Sequence, residues 1–157
     1  MLKRKRAKAY KKYALAFIDR VRADYPIIGA LSSKYPKIEL YTEQGITLCK
    51  EKNEELQNIA QKSPHGYALI SGEYDKENQT VILYHYTREK PEANKRTLRH
   101  ECIHFILDAA GLPNGDEEPL FLVLAMDYNA RPYMVLKEGV LERIRETAEG
   151  FGLDLGI

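Results

Sequence analysis

Residues 100–104 read His-Glu-Cys-Ile-His. In a helix, side chains four apart lie one turn plus about 40° from each other, so His100 and His104 project from neighbouring positions on one face. Two imidazoles at that spacing can hold one metal ion. Glu101 lies about 100° around the helix, off the coordination position but within reach of a water held there. Metal-assisted hydrolysis divides its labour in this way. Two histidines are the ligands, Zn2+ lowers the pKa of water, and Glu101 is the general base. The ordinary alternative is a helix with two surface or core histidines and a salt-bridging glutamate.

Catalytic zinc usually takes three protein ligands and leaves a fourth position open. The stretch "GLPNGDEEPLFLVLAMDYNA" (111–130) comes directly afterwards. Its Gly-Leu-Pro-Asn-Gly loop lets the chain reverse, so a second helix can return against the first. The pattern predicts that helix over 117–130, with Asp116 as N-cap and Pro119 tolerated in the first turn, where amides lack helical acceptors. On such a helix Glu118 shares a face with Phe121, Leu122 and Ala125 and points inward, so Glu118 is the expected third ligand. Glu117, on the face of Leu120, Phe121, Leu124 and Tyr128, competes with it, and Asp116 is a third candidate. Acids also favour helix N-termini because of the dipole, which is the simpler role for at least two of the three.

Other elements must carry these residues. Tyr10, Tyr13, Ala14, Phe17, Ile18 and Val21 recur at three- and four-residue steps, predicting an amphipathic helix over about 3–24, stopped by Pro26. "KIELYT" (37–42) reads as a short strand. "NEELQNIAQK" (53–62) reads as a short helix capped by Asn53 and closed by Pro64. "GYALIS" (66–71) and "QTVILYHYT" (79–87) read as an antiparallel hairpin around the polar segment "GEYDKENQ". Helices are then expected over about 91–110, with Gly111 as C-terminal cap, over 117–130, and over 133–149 after Pro132. Along the first of these, Leu98, Cys102, Phe105, Ile106 and Ala109 form an apolar face that must be buried. The order of elements argues for an α+β fold, with a small sheet packed on the histidine helix and on further C-terminal helices.

A chain of 157 residues, 44% hydrophobic and 30% charged, suffices for one core, so a single domain is expected over 1–157. No apolar run is long enough to cross a bilayer, and the basic start lacks the apolar region of a secretory signal, so no membrane association is expected. Cys49 and Cys102 have no spacing that suggests a disulfide framework, and the expected setting is cytoplasmic, with both thiols reduced. Net charge is +1, but "MLKRKRAKAYKK" (1–12) carries seven cations and no acid. Of the 24 Lys and Arg residues, 17 then remain against 23 acids. A basic arm, Lys3–Lys12, on an acidic body can attract nucleic acid or an acidic partner surface; otherwise it is a solvated helix start.

Over about residues 66–130 the sequence resembles the zincin metallopeptidases: a hairpin, a helix bearing His-Glu-x-x-His, and a second helix with an acidic ligand. With a glutamate as third ligand it looks like the gluzincin branch. The small size, the basic first helix and "RHECIHFILDAAG" are similar to small peptidases of the ImmA/IrrE kind. The resemblance implies a compact zincin-like fold and hydrolysis of a peptide bond in a protein or peptide substrate. It implies His100, His104 and Glu118 as ligands to Zn2+, and Glu101 as base. It also implies that the strand bordering the cleft pairs with an extended substrate, "VILYHY" (81–86) being the candidate.

Several residues carry lesser expectations. His85, facing opposite to Tyr84 and Tyr86, could line the cleft and stabilise an oxyanion, as could Tyr128 or Tyr133. Asp108, four after His104, could orient an imidazole, although a solvent-facing ion pair is the commoner role. Arg99 reads as a surface charge or a partner for acids, and His65 as a turn residue. Cys102, on the buried face, is not counted as a ligand.

Overall fold

The computed structural model of the protein describes residues 2–42, 71–84, 86–87, 89–130 and 139–152. The expected helix at 53–62, nearly all of the strand at 66–71, and Cys49, His65, His85 and Tyr133 lie outside the described residues. Among the described residues the elements are α1 (Leu2–Asp24), α2 (Pro26–Gly29), β1 (Lys37–Leu40), β2 (Gly72–Asp75), β3 (Thr80–Leu83), α3 (Pro91–Ala109), α4 (Pro119–Asp127) and α5 (Val140–Gly150). The fold is α+β, and no described helix is long and apolar enough to cross a membrane.

The first helix forms where periodicity predicts it. Tyr10, Ala14, Phe17, Ile18 and Val21 are buried in the core, and Tyr13 packs against its margin. Pro26 ends α1 and takes the first position of α2, where a missing N–H costs nothing.

The sheet has the order β1-β3-β2. β1 runs parallel to β3 with Ile38 opposite Val81, and β2 runs antiparallel with Tyr74 opposite Val81. A hairpin therefore exists, and the strand that pairs antiparallel with β3 among the described residues is GEYD. Residues 72–75, expected in the loop, are the strand itself, and the connection shrinks to 76–79. Asp75 holds that turn by accepting from the Asn78 amide N–H at 3.2 Å and from Asn78 Nδ2 at 2.8 Å. Gln79 adopts φ 48° to lead back into β3. β3 is buried along its whole length and paired on both sides. Main-chain pairing with a substrate through β3 is therefore blocked, and among the described strands β2 borders the site.

The helix α3 lies across β2 and β3 and also contacts α1 and α4. Leu98, Cys102, Ile103, Phe105, Ile106 and Leu107 are all buried. Fully burying each large aliphatic or aromatic residue is worth about 1.5–3 kcal/mol. Ile103 and Leu107 fall outside the expected apolar stripe; they are covered because α3 has neighbours on several sides. Buried Asn94 donates from Nδ2 to the Tyr86 carbonyl at 2.8 Å and to the Tyr10 hydroxyl at 3.1 Å, tying α3 to α1 and to the chain beyond β3.

Two helices end in the same way. After α3, Gly111 takes φ 73°, the Gly111 N–H reaches the Asp108 carbonyl at 3.0 Å, and the Leu112 N–H reaches Leu107 at 2.9 Å. This is a Schellman motif, with Gly111 in the capping position expected of it. After α4 the same pair of bonds recurs: Asn129 (φ 53°) reaches Met126 at 3.4 Å, and Ala130 reaches Ala125 at 2.7 Å.

The helix α4 starts at Pro119, two residues later than expected, with Glu118 as an extended N-cap at φ −70°, ψ 133°. The residue before a proline is disfavoured in helical geometry, which sets that start.

Candidate metal centre

His100 and His104 emerge from α3 as side-by-side imidazoles, ring centroids 4.9 Å apart. Each ring is fixed from behind by a main-chain carbonyl. Nδ1 of His100 donates to the Ala130 carbonyl at 2.8 Å, and Nδ1 of His104 donates to the Asn114 carbonyl. A carbonyl only accepts, so each Nδ1 carries a proton, and a ring that holds no second proton presents a bare Nε2. Both carbonyls lie just beyond the two Schellman ends, Asn114 after α3 and Ala130 after α4. From below, the buried ring of Phe121 stacks on His104 at 4.1 Å and meets His100 edge-on at 5.0 Å. Phe121 is a part of the site that sequence reasoning placed only on an inward face.

The two Nε2 atoms face each other at 3.2 Å. Asp116 Oδ1 stands 3.1 Å from the first and 3.0 Å from the second. With both rings neutral, these three acceptor atoms form a nearly equilateral triangle. Three lone-pair groups so close repel unless something positive lies among them. One shared proton can satisfy only part of the triangle; a cation satisfies all of it. Ligands at about 2.0–2.2 Å around a tetrahedral ion stand roughly 3.3–3.6 Å apart, so the donor set fits such an ion with slight opening.

The acid that meets both histidines is Asp116, not Glu118. The sequence pattern makes Asp116 the cap of α4 and points Glu118 inward from it. With Pro119 at the first helical position, Glu118 is itself the exposed cap, and the loop residue Asp116 turns to the imidazoles. Glu117 is exposed as well.

Glu101 is a second acid at the site. Its Oε1 is 3.9 Å from His100 Nε2, and ligand atoms of His100, Glu101 and His104 all lie within 4.8 Å of one another. Asp116 is nearer to both rings, and Glu101 stands beside it. Only 12% of the Glu101 side chain is exposed, against 58% for Asp116. Burial raises the Glu101 carboxyl above its ordinary range, although the histidines pull it down. Hydrogen bonds with His100 and His104 hold Asp116 well below the usual carboxylate range. For His100, burial acts downward, but the Asp116 bond, the Glu101 charge and the Ala130 bond together raise it.

The triangle opens into a cleft of about 390 Å³, walled by β2 through Glu73 and Tyr74, by Lys76, and by the 114–116 loop. Gly72 sits where β2 crosses α3: a Cβ there would lie 2.5 Å from Thr97 Cγ2, 2.9 Å from the Ile82 carbonyl and 3.2 Å from Glu101 Cγ. Only glycine lets the strand approach Glu101 this closely.

The remaining candidates go elsewhere. Asp108 does not orient an imidazole; it accepts from the Tyr74 hydroxyl at 2.5 Å and lies 3.7 Å from Lys76 Nζ. Tyr128 donates to Asp24 at 2.6 Å, toward α1 and not as an oxyanion donor. Arg99 donates to the Tyr13 hydroxyl at 2.8 Å and to the Asn129 carbonyl at 3.1 Å, a structural strut rather than a surface charge. Cys102 is a free, fully buried thiol whose burial raises its pKa, and it is not part of the triangle.

Compared with known protein families, curated proteins and solved structures, the chain matches none.

Proposed function

We propose that the protein is a metal-dependent hydrolase, a zinc peptidase of zincin-like design acting on a protein or peptide in the cytoplasm. The observation that carries this reading is the triangle of His100 Nε2, His104 Nε2 and Asp116 Oδ1, with edges of 3.0–3.2 Å and facing an open cleft. Two imidazoles and one carboxylate, with a side left open, suit a catalytic rather than a closed structural site. Zn2+ bound there would supply Lewis acidity and a water of lowered pKa.

The chain's own residues do the rest. Ala130 and Asn114 fix which nitrogen of each ring is bare. Phe121 excludes water from beneath the rings, which strengthens electrostatic contacts at the site. Glu101, buried beside the triangle, is positioned to take a proton from water in the cleft and deliver it to a leaving amine. Its raised pKa suits that exchange better than an ordinary carboxylate would. The half-buried strand β2 lies along the cleft wall through Glu73 and Tyr74, where an extended chain can be held.

Elemental analysis of the purified protein tests the reading. About one zinc per chain is expected, lost in His100→Ala, His104→Ala and Asp116→Ala and retained in Glu118→Ala and Glu101→Gln. On a fluorogenic peptide library, Glu101→Gln should lose hydrolysis while keeping the ion. Zinc retained in Asp116→Ala and lost in Glu118→Ala would overturn the ligand assignment. A site filled by iron would move the same two-histidine, one-carboxylate set to oxygen chemistry.

A further inference from the structure

The first three turns of α1 are built against their own stability. Cations near a helix N-terminus oppose the helix dipole, and like charges three or four residues apart repel. The first turn has no acid, and Asp19 is the first acid in the chain. Arg4–Lys8, Lys8–Lys12 and Lys8–Lys11 are all like-charge neighbours. Arg4, Lys5, Arg6, Lys8, Lys11 and Lys12 are all exposed, and among the described residues none of them takes part in an ion pair.

Five of the six share one side. At 100° per residue, Lys11, Arg4, Lys8, Lys12 and Lys5 fall within an arc of about 120°, and Arg4 to Lys12 spans about 12 Å of helix. The opposite side carries Tyr10, Ala14 and Phe17, all buried in the core. The cations therefore ride on a helix anchored to the domain, in fixed register.

We propose that this stripe binds the phosphate backbone of nucleic acid. Helical steps of three and four residues set successive cations about 4.5–6 Å apart along the axis, close enough to engage neighbouring phosphates of one strand. Binding of this kind is independent of base sequence, because phosphate contacts carry no sequence information. A membrane surface fits less well: an interfacial helix needs exposed apolar side chains beside its cations. Between Arg4 and Lys12 the exposed residues are the six cations and Ala9.

The test is fluorescence anisotropy of a labelled duplex DNA of mixed sequence, titrated with the full chain between about 50 and 200 mM salt. The expected result is binding whose logarithm falls against log salt with a slope of about −4, as for four or five neutralised phosphates. The triple variant Lys8→Glu, Lys11→Glu, Lys12→Glu should lose at least about tenfold in affinity and flatten the slope. The exchange removes like-charge repulsion from α1, so its melting temperature should hold or rise, and loss of binding is then not loss of fold. Absence of binding at the lowest salt, equal binding by the triple variant, or tighter binding to phosphatidylserine vesicles than to DNA would each overturn the proposal.

Discussion

The Nε2 atoms of His100 and His104 face each other at 3.2 Å, each on a ring whose other nitrogen is already committed to a carbonyl. Neither ring can turn its N–H toward the other without giving up that bond. With both rings neutral the strain of the arrangement is electrostatic, and a cation at the proposed metal site would relieve it. Metal removal should therefore cost stability. A ligand present at a hundred times its dissociation constant stabilises by about 2.7 kcal/mol. For a chain of this size that corresponds to roughly 5–10 °C in melting temperature. Chelation should lower the melting temperature by about that amount, and added zinc should restore it; His104→Ala should melt low and ignore both.

The metal-free protein should become less stable as pH rises through neutrality. His100 is raised above its ordinary 6.5. Its contribution is complete below 6.5 and is lost as pH climbs through the folded value. Glu101 is also raised, above 4.5, so in its range the folded chain again holds more protons than the unfolded chain. Both groups give the same sign. Asp116, shifted downward, acts oppositely, and its share is lost only in acid as pH falls through the folded value. Denaturant melts of the chelated protein at increasing pH should show this decline, and Asp116→Asn should flatten the His100 part. Zinc affinity should run the other way and strengthen with pH, because the ligands must be deprotonated.

Two glycines should respond to alanine for different reasons. Gly111 has nothing within 4 Å of an added Cβ, but its φ is 73°. Gly111→Ala should cost about 1–2 kcal/mol from backbone strain alone and leave zinc content unchanged. Gly72→Ala meets Thr97, the Ile82 carbonyl and Glu101. Overpacking of this kind costs about 1–3 kcal/mol. Because the displaced neighbour is Glu101, turnover should fall further than stability does. Equal turnover in the two variants, with zinc bound, would remove Gly72 from the site.

Asp24-Tyr25 and Asp127-Tyr128 form a reciprocal clasp. Tyr25 donates to Asp127 at 2.5 Å, and Tyr128 donates to Asp24 at 2.6 Å. The clasp joins the end of α1 to the turn that leads to the Ala130 carbonyl. Tyr128→Phe should cost about 1 kcal/mol, since the Asp24 carboxylate is half exposed and can return to water. It should also weaken zinc binding by up to about tenfold, the scale of effects acting through a ligand's supporting bond. Competition with a chromogenic chelator measures the second effect separately from the first.

Many of these features are readable in the residues. The stripe Tyr10, Ala14, Phe17, Ile18, Val21 fixes α1 by period alone, and Gly111 marks the end of α3 through its need for positive φ. The faces of the His-Glu-Cys-Ile-His helix follow from 100° per residue. The failures have physical causes. GEYD reads as a turn because β2 is a half-buried strand at the margin of the sheet, with no apolar alternation to announce it. The acid that stands against the imidazoles differs from the one a face argument picks, because that argument presumes that the residue is already helical. Glu118 precedes a proline, and that cue argues for an extended residue there. Phe121 beneath the rings and the two carbonyls behind them depend on how α3 and α4 meet, which no local pattern encodes.

Those carbonyls carry a consequence for how the site tolerates change. The partners of both Nδ1 atoms belong to Asn114 and Ala130 only through the main chain. No side chain there supplies the bond, so many residues can occupy the half-buried position 114 without disturbing ring orientation, provided the left-handed turn at Gly111 is kept, whereas the buried position of Ala130 admits only a small side chain. A lineage of such proteins could drift at 114 while preserving its chemistry. Its persistent marks would be the two turn-forming residues, one at each helix end, and not the residue at 114.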